Sequence, residues 1–132
     1  MLEITFVGYQ EYLCLRQALS EYVQNLLGKQ TLMHVALHEC INNAFEHGST
    51  SLKTKVRVKF RLIAKRRFIV RVEHNGRGLS LANCRTLTDS EDLLNNFSAG
   101  NCGCGLYLIH KIADRVHYNR AGTGVLLMKK RS

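Results

Sequence analysis

The segment LKTKVRVKFRLIAKRRFIVRVE, residues 52–73, has the most regular pattern in the chain. Basic residues occupy alternate positions over 53–61, and mostly apolar residues occupy the positions between them. A period of two places these two sets on opposite faces of a β-strand. The run Ala64–Arg67 then predicts a turn, and Phe68–Glu73 predicts a returning strand. The segment therefore predicts a hairpin with one buried face and one strongly basic face in contact with water.

A strand and two helices are predicted before this hairpin. A short strand over Leu2–Val7 is followed by a helix over about Gln10–Leu27, which stops at Gly28. A second helix is predicted over about Thr31–His47, again followed by a glycine, Gly48. The first helix is indicated by residues that recur at intervals of three and four, namely Tyr12, Arg16, Leu19, Val23 and Leu26.

A helix and a second hairpin are predicted near the C-terminus. The helix covers about Leu106–Asp114, and the strands cover Val116–Asn119 and Val125–Lys129, joined by residues 120–124. The order is therefore strand, two helices, hairpin, helix, hairpin. This order predicts an α+β fold, a two-layer α/β sandwich whose mixed, mostly antiparallel sheet carries helices on one face.

Length and composition narrow the class of protein. A chain of 132 residues, of which 45% are hydrophobic and 22% charged, predicts a single globular domain over residues 1–132. The net charge of +9 favours an acidic partner. No apolar run approaches the ~18 residues that a membrane span needs. Because Glu3 stands where a signal peptide is basic, and the five cysteines have no framework spacing, we expect a cytoplasmic protein without a membrane partner.

Two residues of the second predicted helix have the chemistry of an active site. Glu39 and Asn43 are four positions apart and so lie on the same helix face. A carboxylate can accept a proton from a hydroxyl group, and an amide oxygen is a ligand suited to Mg²⁺. The alternative is a solvated polar stripe on an ordinary amphipathic helix.

Two glycine clusters stand beside predicted elements. Asn75–Gly78 directly follows a predicted strand, and Gly103–Leu106 directly precedes a predicted helix. Glycine lets the backbone approach a ligand closely, and a helix N-terminus offers free N–H groups to phosphate. Neither cluster has the lysine and hydroxyl residue of a P-loop, and each taken alone could be an ordinary turn.

Taken together and in this order, the motifs resemble the GHKL ATPase superfamily, which includes the ATP-binding domains of histidine kinases, gyrase, Hsp90 and MutL. Residues His38–Gly48 look like its N box, His74–Leu79 like its first glycine box and Gly100–Leu108 like its second. Residues Gly122–Leu126 are similar to its closing strand. In chain length and in the residues of the N box, the sequence most resembles the anti-sigma-factor serine/threonine protein kinases. The resemblance implies the Bergerat-type sandwich of that superfamily.

The resemblance also implies a function. Such a domain binds ATP and Mg²⁺, holds a sigma factor, and phosphorylates a serine on an anti-sigma-factor antagonist of the STAS type. Relatives in this family dimerise, so a homodimer is a further expectation. Transferred by position, Glu39 would be the base for the attacking hydroxyl and Asn43 would hold Mg²⁺. The remaining nucleotide-binding positions would be His74, Gly76, Gly78, Gly103, Gly105 and Thr123.

One position departs from the family pattern. The first glycine box of the family begins with an aspartate whose carboxylate accepts a hydrogen bond from the adenine amino group, whereas this chain has His74. A neutral imidazole offers one acceptor nitrogen and no charge. The alternative to a kinase is therefore a non-catalytic, partner-binding domain of the same fold.

The remaining signals have simpler readings. The basic face of the first hairpin could be a solvated surface, a docking site for an acidic protein, or a nucleic-acid-binding surface. The sequence disfavours nucleic acid, because Phe60 falls on the apolar face and the basic face of the strand has no aromatic residue to stack on bases. His34 and His38 have a helical metal-ligand spacing, but a place on the helix surface, or a contact that supports the active-site residues, is favoured over zinc. Cys84, Cys102 and Cys104 lack a second pair for zinc and are taken as ordinary thiols.

Overall fold

A computed structural model of the chain describes residues 1–48, 54–75 and 103–131. Within these ranges, the elements follow the predicted order of strand, two helices, hairpin, helix and hairpin. The five strands are β1 (Leu2–Val7), β2 (Lys55–Ile63), β3 (Arg67–His74), β4 (Arg115–Tyr118) and β5 (Gly124–Lys130). The three helices are α1 (Tyr9–Leu27), α2 (Met33–Gly48) and α3 (Gly103–Ile112).

The five strands form one sheet in the order β1-β2-β3-β5-β4. The two predicted hairpins meet through β3 and β5, and β1 pairs with β2 at the opposite edge. Every pairing among the described strands is antiparallel. The α+β sandwich predicted from the sequence is confirmed, although the described part of the sheet is not mixed.

The period-two pattern of the first hairpin sets the two faces of the sheet. On β2, the side chains of Val56, Val58 and Phe60 are buried, whereas Arg57 and Arg61 are exposed. The buried set faces the helices, and α2 packs its own apolar stripe against it. The core residues of the sheet and α2 are joined in one hydrophobic cluster that includes Leu37, Ile41, Ala44, Phe68, Val70, Val72, Val125 and Leu127.

The N-terminal helices end where local hydrogen bonds require it. Helix α1 stops at Leu27 as predicted, and Gly28 follows with a φ of +103° and an N–H that donates to the Gln24 carbonyl at 2.8 Å. Helix α2 begins two residues later than predicted. Thr31 lies outside the helix, because its Oγ1 accepts a hydrogen bond from the Met33 N–H at 3.1 Å.

Helix α3 lies closer to the N-terminus than the sequence predicts. The predicted range was Leu106–Asp114, but the helix begins at Gly103 and ends at Ile112. Asp114 lies between the helix and β4 and is bound to β5: its N–H donates to the Met128 carbonyl at 2.8 Å, and its Oδ2 accepts from the Lys130 N–H at 2.6 Å. These bonds to β5 end the helix before Asp114.

In the described ranges, all three helices are too short or too polar to cross a membrane.

Candidate functional site

A cleft opens between α2, the end of β3, helix α3 and the turn that joins β4 to β5. It is open to solvent, and the space inside it that can hold the centre of a water molecule is about 20 Å³. Apolar side chains form most of its walls, with a few polar groups among them. The lining residues are Cys40, Asn43, Ala44, Val72, His74, Ile109, Tyr118, Gly122, Thr123, Gly124 and Val125. This arrangement suits a flat ligand with apolar faces and a polar edge.

Three of the residues that the sequence singles out line this one cleft: Asn43, His74 and Thr123. They come from α2, from the end of β3 and from the β4–β5 turn. A backbone hydrogen bond brings the last two together, since the His74 N–H donates to the Thr123 carbonyl at 2.9 Å. Residues 49 positions apart in the sequence therefore meet because β3 pairs with β5.

The β4–β5 turn is held in place by Asn119. Its Oδ1 accepts from the Thr123 N–H at 2.9 Å, and its Nδ2 donates to Thr123 Oγ1 at 3.1 Å. Gly122 adopts a φ of +70°, which favours glycine. A Cβ on Gly124 would lie 2.9 Å from Asn119 Nδ2, so the two hydrogen bonds between Asn119 and Thr123 depend on glycine at that position.

On α2, Asn43 reaches the cleft and Glu39 lies one turn earlier on the same helix face. Glu39 is partly exposed and is not among the lining residues. Between them, the buried Cys40 forms part of the wall. Burial raises the pKa of the Cys40 thiol, so this group stays protonated and serves as an apolar surface.

Helix α1 fixes α2 through a buried histidine that directly precedes Glu39. The Ser20 Oγ lies 3.3 Å from the Arg16 carbonyl, to which it donates, and 2.6 Å from His38 Nε2. Ser20 therefore accepts from His38, and Nε2 carries the proton. His38 Nδ1 must then be the acceptor for the Tyr12 hydroxyl, 2.5 Å away. The imidazole is held in one neutral tautomer and joins the two helices.

A second contact between the helices lies nearer to the cleft. The Tyr9 hydroxyl donates to Asn42 Oδ1 at 3.1 Å, and the Tyr9 ring packs edge-on against Phe45 at 5.4 Å between centroids. Together with the histidine contact, it joins α2 to α1.

The buried histidine makes the protein sensitive to acid. Burial, with the positive charge of Arg16 as a smaller cause, lowers the pKa of His38 from 6.5 to about 4. The unfolded chain therefore binds this proton first, so the stabilisation is complete above pH 6.5 and is lost as the pH falls towards 4. The loss in the free energy of unfolding should reach about 3 kcal/mol, which urea unfolding across this range would measure.

Burial also lowers the pKa of His110, so acid dependence alone does not identify the histidine responsible. A variant that lacks the titrating ring of residue 38 isolates the contribution of His38. His38→Gln keeps one donor and one acceptor but carries no titrating ring, so it should lose most of the acid dependence. The matched control, His117→Gln, alters an exposed histidine on β4 and should leave the dependence unchanged. Equal acid dependence in His38→Gln and the native protein would contradict this assignment.

A family profile for the histidine kinase-like ATPase domain matches residues 12–130, which is most of the chain. The chain belongs to the histidine kinase-like ATPase family. No curated protein shows significant similarity to it. The match includes α2, the cleft and the β4–β5 turn, so the observed cleft lies within the part of the chain that defines the family.

The donor set of this histidine kinase-like ATPase domain fits the ATP and Mg²⁺ that such domains bind. Val72, Ile109 and Val125 provide apolar surface for a planar base, and His74 and Thr123 provide polar groups at its edge. Asn43 offers one neutral oxygen, which suits a Mg²⁺ ion that keeps most of its ligands from water and phosphate. The described residues hold no cluster of three or more acidic, histidine or cysteine side chains placed for a metal, and both His38 nitrogens are engaged.

The glycines of the ATPase motif are only partly placed. Gly76 and Gly78 lie outside the described residues, as do Cys84 and Cys102. Gly103 and Gly105 lie in the first turn of α3, so the prediction that they precede the helix is wrong. Asn75, the second residue of the first glycine box, is bound to β2: its Oδ1 accepts from the Lys55 N–H at 3.0 Å.

Several lining residues were not predicted as part of the site. Cys40, Val72, Ile109 and Val125 were read only as members of a motif or of the core. For two of them, the strand register is the signal that identifies the position, because Val72 and Val125 are cross-strand partners on the buried face. Tyr118 was assigned only to a strand, and its place in the cleft depends on the β4–β5 pairing.

Proposed function

We propose that the protein is an anti-sigma-factor-type regulator, which binds ATP with Mg²⁺ and phosphorylates a serine on a STAS-type antagonist while it sequesters a sigma factor. The observation that carries the proposal is that Asn43, His74 and Thr123 line one cleft. The family match supports an ATPase-type domain, and the resemblance of the N box to anti-sigma-factor kinases is the reason for this choice of subfamily.

The proposed chemistry assigns a task to each of these residues. ATP, when bound, supplies the phosphoryl group. Asn43 would hold Mg²⁺, and Thr123 and His74 would contact the adenine end of the nucleotide. Glu39 accepts the proton of the substrate serine as its oxygen attacks. Most of the rate enhancement then comes from positioning and charge neutralisation, as is general in phosphoryl transfer.

A second candidate is a non-catalytic domain that regulates by binding partners. The observation in its favour is His74, which lies in the cleft where the family pattern has aspartate. A neutral imidazole can accept one hydrogen bond from an adenine amino group, but it brings no charge to strengthen it. The two candidates therefore differ in their affinity for nucleotide.

Restoring the carboxylate tests both candidates. His74→Asp is expected to raise the affinity for MgATP by about tenfold to a hundredfold, because a charged acceptor strengthens a hydrogen bond to the base by about 1–3 kcal/mol. Titration calorimetry with MgATP on the native protein and the variant would measure this. His117→Asp makes the same change in charge at an exposed site on β4 and should leave the affinity unchanged.

The outcomes separate the proposals. Micromolar binding by the native protein supports the kinase. Binding by His74→Asp alone supports the partner-binding domain, and pull-down experiments would then replace kinase assays. Failure of both proteins to bind MgATP would contradict the assignment of this cleft to nucleotide.

A further inference from the structure

The outer face of the sheet has an apolar centre. Ile69 on β3 and Met128 on β5 are cross-strand partners, and Leu126 lies two residues before Met128 on the same face. All three side chains are half-buried without a helix over them, since the described helices pack on the opposite face. The apolar centre comprises these three residues.

Basic residues surround the apolar centre. In the row that contains Ile69 and Met128, the flanking partners are Arg61 on β2 and Arg115 on β4. Arg71 is the partner of Leu126. The basic residues at outward positions of the described strands are Lys55, Arg57, Lys59, Arg61, Arg67, Arg71, Arg115 and Lys130.

Acidic residues cancel little of this charge. Among the outward positions of the described strands, the only carboxylates are Glu3 and Glu73. Glu3 lies 3.4 Å from Arg57, and Glu73 lies 3.6 Å from Arg71. The rest of the outer face keeps a strong positive charge, and the net charge of +9 shows that the rest of the chain does not offset it.

We propose that this outer face is a docking surface for an acidic protein that presents apolar side chains at the centre of its contact. A small apolar centre within a polar rim is the general layout of a protein–protein interface, and methionine and arginine are enriched there. The charge of the rim selects a partner of opposite sign and accelerates encounter. The proposal does not rest on nucleotide binding, because the cleft lies on the other face of the sheet.

One edge of this face has a site that suits an acidic side chain of the partner. A groove there is lined by Arg67, Asp114, Arg115, Met128 and Lys130. Its one carboxylate, Asp114, is already engaged by the Lys130 N–H at 2.6 Å and by Lys129 Nζ at 3.3 Å. Arg67 and Arg115 remain to face a carboxylate from a partner.

Two other occupants fit the face less well. Nucleic-acid binding without sequence preference uses aromatic side chains for stacking, and the outward positions of the described strands carry no Phe, Tyr or Trp. A second copy of this chain would place the same patch against itself about a two-fold axis. Its arginines would then oppose arginines, which is unfavourable.

A pair of matched charge reversals tests the proposal. The probes are a labelled amphipathic peptide of glutamate and leucine, an all-glutamate peptide of the same charge and a short DNA duplex. Fluorescence anisotropy should show the amphipathic peptide binding tightest. The variant Arg61→Glu with Arg115→Glu should weaken that binding by about tenfold or more. The control, Arg16→Glu with Lys29→Glu, makes the same charge change at exposed sites away from the sheet and should cost little.

Several results would overturn the proposal. Equal weakening by the two variants would mean that only overall charge matters. Tighter binding of the DNA duplex, falling steeply with salt, would assign the face to nucleic acid. Self-association that depends on Leu126 would assign it to a second copy. The face variant should keep the native response to MgATP, so failure here is distinguishable from failure of the nucleotide cleft.

Discussion

Replacement of Asn43 by alanine is expected to lower the affinity of the protein for MgATP by about a hundredfold or more. Asn43 is the amide of α2 that lines the cleft, and the proposed function makes it the protein ligand of Mg²⁺. The replacement removes a direct contact to the metal ion. Changes in residues that only support a metal ligand already lower metal affinity by about tenfold to a hundredfold, so loss of the ligand itself should cost at least as much. Titration calorimetry with ATP, with and without Mg²⁺, would measure the loss. The gain in affinity that Mg²⁺ gives to the native protein should be lost in the variant.

The neighbouring amide provides the control. Asn42→Ala removes the same side chain from the same helix, but Asn42 accepts a hydrogen bond from Tyr9 and does not line the cleft. It should cost stability, at about 1 kcal/mol for one hydrogen bond, and leave nucleotide affinity nearly native. If both variants lost MgATP binding equally, the effect would reflect the position of α2 rather than a ligand, and the assignment of Asn43 would fail.

The fold could be read largely from two periodicities. The alternation over 53–61 predicts which face of β2 is buried, and the structure confirms it with Val56, Val58 and Phe60 inside. The spacing of three and four predicts α1, in which Tyr12, Leu19 and Val23 are buried as expected. Both patterns are strong because each buried face must exclude water along its whole length.

Element ends were less predictable because tertiary bonds set them. Nothing local marks Asp114 as a partner of β5, so the pattern extended α3 too far. The turn of the first hairpin shows the same limit: Ala64 and Lys65 adopt φ values of +53° and +59°, a conformation that usually calls for glycine or asparagine. There the paired strands impose the turn, not the turn residues.

The site was predictable as motifs but not as geometry. Asn43, His74 and Thr123 belong to three different motifs, and only the pairing of β3 with β5 and the packing of α2 on the sheet show that they meet. The contact between α1 and α2 was not predicted at all. His38 gives no sequence signal of its bonds to Tyr12 and Ser20, because those partners lie on another helix.

Glu39→Gln is expected to slow phosphoryl transfer to a STAS-type antagonist by about a hundredfold to ten-thousandfold, the usual range for loss of a general base. Glutamine keeps the size of the side chain but cannot accept the serine proton. Because Glu39 does not line the cleft, the affinity of the variant protein for MgATP should stay near native. Single-turnover transfer from labelled ATP and calorimetry on the same samples would separate the two effects.

Glu46→Gln makes the matched control, since Glu46 is an exposed carboxylate on the same helix. It removes the same charge, so a general electrostatic effect of α2 would slow both variants alike. A loss of rate confined to Glu39→Gln, at unchanged affinity, is the pattern that a base requires, because a base acts on the transition state and not on bound nucleotide. If Glu39→Gln instead lost rate and MgATP affinity together, Glu39 would act through the metal or the nucleotide. Native rates in Glu39→Gln would place the base on a different residue.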